Sequence, residues 1–250
     1  MVNISDVLWI LGFTGIRFYA ALSACPLFSD SKLAKFPKAL MAISFAIIFG
    51  SNTHIPEEYG VFFKLFLFSK EFLVGYVIGV LFSLPLWMVE NVGNIIDLQR
   101  GESFGSTINQ STQNPSSSIS KLLIQGFNVY FVMANGILFF IHFIAKSFTI
   151  IPSTKLSLNI IGSREVIIHL FSNYFYWMVI LALPVIFLMF LVEISLGLFS
   201  SFIQQLNVTT LAMPIKSAVS LFILVFYVGV IYHVASTRFM DHIYQTVFSL

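Results

Sequence analysis

The chain has 250 residues, of which 58% are hydrophobic and 10% charged, and its mean hydropathy is +0.91. A soluble domain averages about 25% charged residues, so the composition excludes an ordinary soluble fold and indicates an integral membrane protein. A net charge of only +2 leaves no basic stripe to neutralise nucleic-acid phosphates. The single cysteine, Cys25 in an apolar run, excludes an intrachain disulfide and reads as a small buried hydrophobe.

The first six residues carry Asp6 and no Lys or Arg. A cleaved secretory signal needs a positive start and a small-residue cleavage site, so the first apolar run, 7–28, is expected to be a retained helix. Further apolar runs follow at 39–50, 72–89, 122–145, 166–199 and 217–235. A spanning helix needs about 20 apolar residues, a length that 7–28, 122–145 and 217–235 meet. The 39–50 run is short, and is expected to be a partial or re-entrant helix, or one buried against protein. The 72–89 run is preceded by apolar 61–68 and holds Pro85, and the long 166–199 run holds Pro184. Proline removes a backbone donor and clashes one turn back, so kinks or breaks are expected at both. The expected fold class is an all-α membrane protein of about six to eight helices, several broken by proline.

Lys and Arg in the connections between six simple spans divide evenly. One side receives Lys32, Lys35, Lys38, Arg100, Lys121 and Lys216, the other Lys64, Lys70, Lys146, Lys155, Arg164 and Arg238. The positive-inside rule therefore assigns no orientation, and either the spans differ from these or the helices are not ordinary spans. Arg17, Glu71, Glu90, Glu193 and Lys216 lie within or at the edges of apolar runs. For Glu90 and Lys216 snorkelling at a segment end suffices; for the deeper Arg17 and Glu193 a buried pair or a subunit contact is an equal alternative. Gly75 and Gly79 form a small-xxx-small pair that lets another helix approach closely.

Signatures of catalysis are lacking. His54, His142, His169, His233 and His242 are scattered, with no HExxH and no i, i+4 pair. Glu57 and Glu58 beside Pro56 read as a solvated helix start. No P-loop, GxGxxG or GxSxG occurs. The expectation is a non-enzyme with no cofactor and no metal.

Residues 99–120 contrast with everything around them: glycine, serine, asparagine and glutamine dominate, with Pro115 near the end. Such residues bond their own backbone and favour turns over helix. Two readings remain open, a connector on one membrane face or a loop that lines or closes an aqueous path, where its amides still find partners.

Several short motifs, taken in order, resemble those of the FliR/YscT/HrcT family, the T-type component of the export gate in type III protein secretion. Lys70-Glu71-x-x-x-Gly75-x-x-x-Gly79 is similar to one family helix, and Glu90-x-x-Gly93-x-x-x-Asp97-x-Gln99-x-Gly101-x-Ser103 to the stretch that leads into the family's polar loop. Phe36-Pro37-Lys38-Ala39, Ser147-Phe148-x-x-Ile151-Pro152, Ala182-Leu183-Pro184-Val185, Gln205-Leu206-Asn207-Val208 and Ala212-Met213-Pro214-Ile215-Lys216-Ser217 extend the resemblance over about four fifths of the chain.

The resemblance implies hairpins arranged in a helical, multi-subunit gate in the bacterial inner membrane. Partners would be P-type and Q-type subunits, with a U-type switch subunit, and unfolded polypeptides would be the cargo. It also implies a P-type-like region over 1–200 and a Q-type-like hairpin part over 201–250, with Lys216 at the hairpin tip. The polar loop would be a plug, formed among others by Gly101, Ser103, Phe104, Gly105, Ser106, Asn109, Gln110, Asn114 and Pro115. Glu71, Gly75, Gly79, Glu90, Gly93, Asp97, Gln205, Asn207, Pro214 and Lys216 would serve subunit packing. The chain departs from the family at Asn114-Pro115, where an acid often precedes the proline, and at Thr209-Thr210, where an aromatic residue is common. The Ala-Met-Pro-Ile-Lys-Ser form leans towards the injectisome branch over the flagellar one. A small-solute secondary transporter is the alternative from another class: Pro85, Pro184 and the buried charges fit it, but it requires inverted repeats that hydropathy does not display.

Overall fold

The computed structural model describes residues 4–29, 33–50, 60–101, 118–153, 164–202 and 208–238, together with 240, 241, 243 and 245. Among these residues every regular element is helical. They are α1 (Ile4–Ala24), a 3-10 turn (Pro26–Phe28), α2 (Lys35–Phe49), α3 (Val61–Arg100), α4 (Ser118–Met133), α5 (Gly136–Ile150), α6 (Arg164–Phe202), α7 (Val208–His233) and a π-helical turn (Val234–Arg238). The all-α membrane class expected from composition holds. Phe62–Arg100, Ile168–Phe202 and Ala212–Arg238 are long and apolar enough to cross a bilayer, and α4 with α5 adds a fourth if the bent pair is one span.

Of the kinks or breaks expected at Pro85 and Pro184, breaks do not occur: α3 continues through Pro85 and α6 through Pro184, and α7 likewise runs through Pro214. Each proline costs about 3 kcal/mol in a helix interior. Around Pro85 the cost is offset by burial, since Leu81, Phe82, Leu84, Leu86, Met88 and Val89 are all at most 6% exposed. Leu181, Ala182 and Val185 bury likewise beside Pro184. The break falls instead inside the 122–145 run, read above as one span. There Asn135 adopts a left-handed conformation (φ 60°) and precedes Gly136. Asn tolerates that region better than other non-glycine residues, and Asn-Gly is a turn signal even in apolar surroundings.

The described residues fall into two compact units, one within Met1–Leu84, Val132–Leu170 and Met240–Leu250, the other within Pro85–Phe131 and Phe171–Phe239. In the first, Glu71, Gly75, Gly79 and Ser83 recur every four residues and so line one face of α3. That face meets α1 at backbone distance. A Cβ on Gly75 would lie 2.2 Å from the Arg17 carbonyl oxygen, and one on Gly79 2.5 Å from that of Ala21. Ser83 Oγ donates to Gly79 O at 2.6 Å and to Ala24 O at 3.4 Å, closing the same seam. Phenylalanine fills the rest: the Phe82 ring centroid is 4.5 Å from that of Phe140, and Phe18 stacks on Phe45 and Phe49 at 5.3 and 5.7 Å. The short 39–50 run is thus a helix packed against protein, with Lys38, Ala42 and Ala46 inward and Leu40, Ile43, Ile47 and Ile48 outward. Cys25 is buried, as its apolar setting predicted.

In the second unit, the Tyr232 hydroxyl donates to Leu123 O at 2.9 Å. A Cβ on Gly126 would lie 2.3 Å from that hydroxyl oxygen, so only glycine admits this contact. Asn91 Nδ2 donates to Tyr174 OH at 2.7 Å, joining α3 to α6. Among the described residues, 22% and 28% of the spanning windows of α6 and α7 are buried, against 67% for that of α3.

Gly75→Val should separate α1 from α3 and cost at least about 3 kcal/mol, because the obstructing atoms are backbone. Gly197→Ala on α6 meets open space and should be neutral, or stabilise by up to about 1 kcal/mol. Thermal unfolding midpoints of the two variants in detergent should move in opposite senses, or only the first should move.

Candidate functional site

Among the described residues each unit holds a cluster of charged side chains, and each cluster gathers motifs that are far apart in sequence. In the first, Arg17 on α1 and Glu71 on α3 are both sealed, with side-chain exposures of 0% and 0%. Arg17 Nε and Nη2 each lie 2.6 Å from Glu71 Oε2. Lys70 Nζ lies 3.1 Å from Glu71 Oε1, an ion pair by distance without hydrogen-bond alignment. Two cations against one carboxylate leave one positive charge over.

The end of α5 takes up the excess. Arg17 Nη1 donates to Ser147 Oγ at 3.1 Å, and Nη2 to Ile151 O at 2.9 Å. Lys70 Nζ donates to Pro152 O at 3.0 Å and Ser153 O at 3.4 Å. These carbonyls follow directly on the C-terminus of α5, the negative end of the helix dipole, so both cations sit where the backbone favours them. The Arg17 guanidinium also lies 4.0 Å from the Phe148 ring centroid, within cation–π range. Arg17 is therefore a buried pair, the sharper of its two readings, and its partner Glu71 comes from the Lys70-Glu71 motif.

The second cluster surrounds the two ends of the polar tract. Asp97 Oδ2 accepts the amides of Ile119 and Ser120 at 2.9 and 3.1 Å, capping the first turn of α4 from another helix. Gly93, one turn earlier on α3, allows this: a Cβ there would lie 2.4 Å from Ser120 Cα. Asp97 Oδ1 pairs with Arg100, and Arg100 Nη1 donates to Ser217 Oγ at 3.4 Å. Lys216 Nζ lies 2.9 Å from Glu193 Oε2 and donates to Gln99 O at 3.4 Å. Gln99 Nε2 donates to the same Glu193 oxygen at 3.5 Å. A cleft of about 460 Å³ opens here, lined by Leu98, Gln99, Arg100, Gly101, Glu193, Ala212, Met213 and Lys216.

The structure brings together Glu71, Gly75 and Gly79 at the first cluster, and Gly93, Asp97, Gly101 and Lys216 at the second. Gly101 ends α3 in the left-handed region (φ 86°), with its amide on Leu98 O at 3.1 Å. Glu90 is half-buried and Pro214 exposed on α7. Lys216 is not at a hairpin tip: it lies two turns inside α7, because the helix runs on through Pro214. It is buried and paired, so it does not snorkel. Ser103, Phe104, Gly105, Ser106, Asn109, Gln110, Asn114, Pro115, Gln205 and Asn207 lie outside the described residues. Sequence reasoning missed Arg100, Ser217 and Ser147 as partners, and Gly126 with Tyr232. Only Arg100 carried a local signal, its i, i+3 spacing from Asp97. Among the described residues no three His, Cys, Asp or Glu side chains converge to hold a metal.

Such a chain is an all-α membrane protein in which Arg17, Lys70, Glu71, Asp97, Arg100 and Lys216 hold helices together. A sequence profile described as "Bacterial export proteins, family 1" matches residues 8–242. The chain belongs to that family. It is 32% identical to Yop proteins translocation protein T of Yersinia pestis over 174 residues, 68% of this chain and 66% of that protein. It is 33% identical to the surface presentation of antigens protein SpaR of Shigella flexneri over 160 residues, 64% and 61% of the two chains. Identity to the flagellar biosynthetic protein FliR of Buchnera aphidicola subsp. Baizongia pistaciae is 25% over 224 residues, 88% and 86% of the two. The match thus spans just under two thirds of the first two relatives' length. The type III secretion resemblance read from the motifs holds.

Glu71→Ala leaves Arg17 buried without its carboxylate and should cost about 3–5 kcal/mol, whereas Asp97→Ala removes the oxygen that accepts two amides and should cost about 2 kcal/mol. Urea or thermal unfolding of the purified variants checks the order; an Asp97→Ala loss as large as that of Glu71→Ala would contradict it.

Proposed function

We propose that this protein is a subunit of a type III secretion export gate in the bacterial inner membrane and forms part of the conduit for unfolded protein substrates. The observation that carries the reading is the uncovered state of α6 and α7, whose spanning windows are 22% and 28% buried although α6 carries the charged Glu193, half exposed. A carboxylate on an otherwise apolar helix calls for protein or water beside it, which neighbouring subunits supply. The partners on this reading are P-type and Q-type subunits, with a U-type switch subunit. Residues 1–200 act as the P-type-like part and 201–250 as the Q-type-like part.

The polar tract, about 99–120, closes the resting channel. Its glycine- and serine-rich composition lets it move at little strain cost and offers no strong binding pocket. The anchoring of residues on both sides of it through Asp97 supports this role, since a plug must return to one place. The injectisome branch is favoured over the flagellar one by the higher identity to the Yersinia and Shigella proteins.

Affinity purification through a tag on this chain should bring down further membrane subunits in a fixed ratio. Deleting residues 106–118 should raise the permeability of resting cells to ions and small solutes. A monodisperse isolated chain with no companions would refute the subunit reading, and unchanged permeability in cells with the whole gate would refute the plug.

A further inference from the structure

The ion pair at the second cluster differs from the sealed one in the first. Glu193 has a side-chain exposure of 52% and Lys216 of 9%, whereas Arg17 and Glu71 are wholly buried. Lys216 also donates across 3.4 Å to the carbonyl of Gln99. That carbonyl belongs to the last turn of α3, where no intrahelical donor is available, so a lysine on α7 caps the C-terminus of α3. The next residue, Ser217, accepts from Arg100. Arg100 in turn pairs with Asp97, which holds the first amides of α4.

We infer that Lys216, held by Glu193, is a releasable latch that positions the C-terminal turn of α3 and, through Arg100 and Asp97, the first turn of α4. Partial solvation is what makes it releasable. Water competes for the half-exposed Glu193 carboxylate and so weakens the pair, and a modest displacement of α6 against α7 lets Glu193 turn to solvent and frees Lys216 and with it the Gln99 carbonyl. The sealed Arg17–Glu71 pair has no such escape, because neither of its charges reaches water. Lys216 is a positioning residue. Its consequence for the channel rests on the proposed conduit, while the positioning itself does not.

Hydrogen exchange on the gate complex, purified through a tag on this chain, tests the latch at the amides of Gly101, Ile119 and Ser120. Lys216→Met should speed exchange at all three by about tenfold and leave the Ile151 amide unchanged. Lys216→Arg, which keeps the charge, should stay close to the parent. If Lys216→Met does not assemble, Glu193→Gln keeps size and shape and should speed the same amides by a smaller factor. Exchange within twofold of the parent in whichever of these variants assembles overturns the latch. In cells, Lys216→Met should also raise resting permeability. Faster exchange with no leak, where deletion of 106–118 does leak, overturns the latch as part of channel closure. If the deletion itself causes no leak, the plug reading fails, and the exchange pattern alone decides the latch.

Discussion

A guanidinium with no exposure to water, set among phenylalanines, dictates the arrangement of three helices. Arg17 can be tolerated there only if a carboxylate meets it directly and acceptors fill its remaining donors. Glu71 meets it only because α1 and α3 touch backbone to backbone, and they touch only because Gly75 and Gly79 follow Glu71 at intervals of four. Charge and close packing are one constraint. With any larger residue at 75 the carboxylate would be held away, and with any neutral residue at 71 close packing would enclose an unmatched cation. The surplus charge brought by Lys70 draws in the end of α5, so a single cluster fixes the register of α1, α3 and α5.

The same logic recurs in the second unit with different chemistry. Gly93 lets α4 approach, and Asp97, four residues on, takes the amides that α4 cannot satisfy for itself. In both units a glycine one turn from an acid creates the short distance over which the acid acts. The acids stand on opposite sides of their glycines: Glu71 precedes Gly75, while Asp97 follows Gly93. The first binds a side-chain cation and the second a helix N-terminus. Solvation separates them further, since the contacts around Glu193 and Lys216 reach the surface.

Class and many element positions were legible in the sequence because bilayer-compatible helices leave a compositional mark, and the spacing of Glu71, Gly75 and Gly79 identified a close helix contact. Pairing was not legible. Arg17 and Glu71 are 54 positions apart, and nothing in hydropathy says which carboxylate answers which cation; Glu193, the other deep acid, answers Lys216. That the helices would run unbroken through the prolines was not legible, for a physical reason. Proline's local penalty was visible at 85 and 184, but the burial that offsets it depends on neighbours distant in sequence. Conversely, the break inside the 122–145 run had its local cause in plain view: Asn135-Gly136 can take a left-handed turn, and the surrounding hydrophobic residues masked that signal. Lys216 seemed placed at a segment end because the last apolar run begins at residue 217, whereas α7 begins at Val208.

The faces of α6 and α7 extend the argument beyond the chain. Phe171, Phe175, Leu183 and Phe187 along α6 are exposed, and either lipid or another helix would cover them equally well. Towards its C-terminus the same helix mixes Leu191, Ile194 and Leu198 with Glu193, and with Ser195, Ser200 and Ser201, whose hydroxyls turn back to the helix's own carbonyls. Serines that satisfy themselves in this way are compatible with an apolar neighbour, but a half-exposed carboxylate is not. Hydrocarbon therefore cannot be the sole surroundings of that part of α6. Lys216 neutralises one side of Glu193 and leaves the other to be met by water or by a polar group from a neighbouring chain. A helix built this way is stable only in an assembly or beside an aqueous path, and an export conduit made of several subunits offers both.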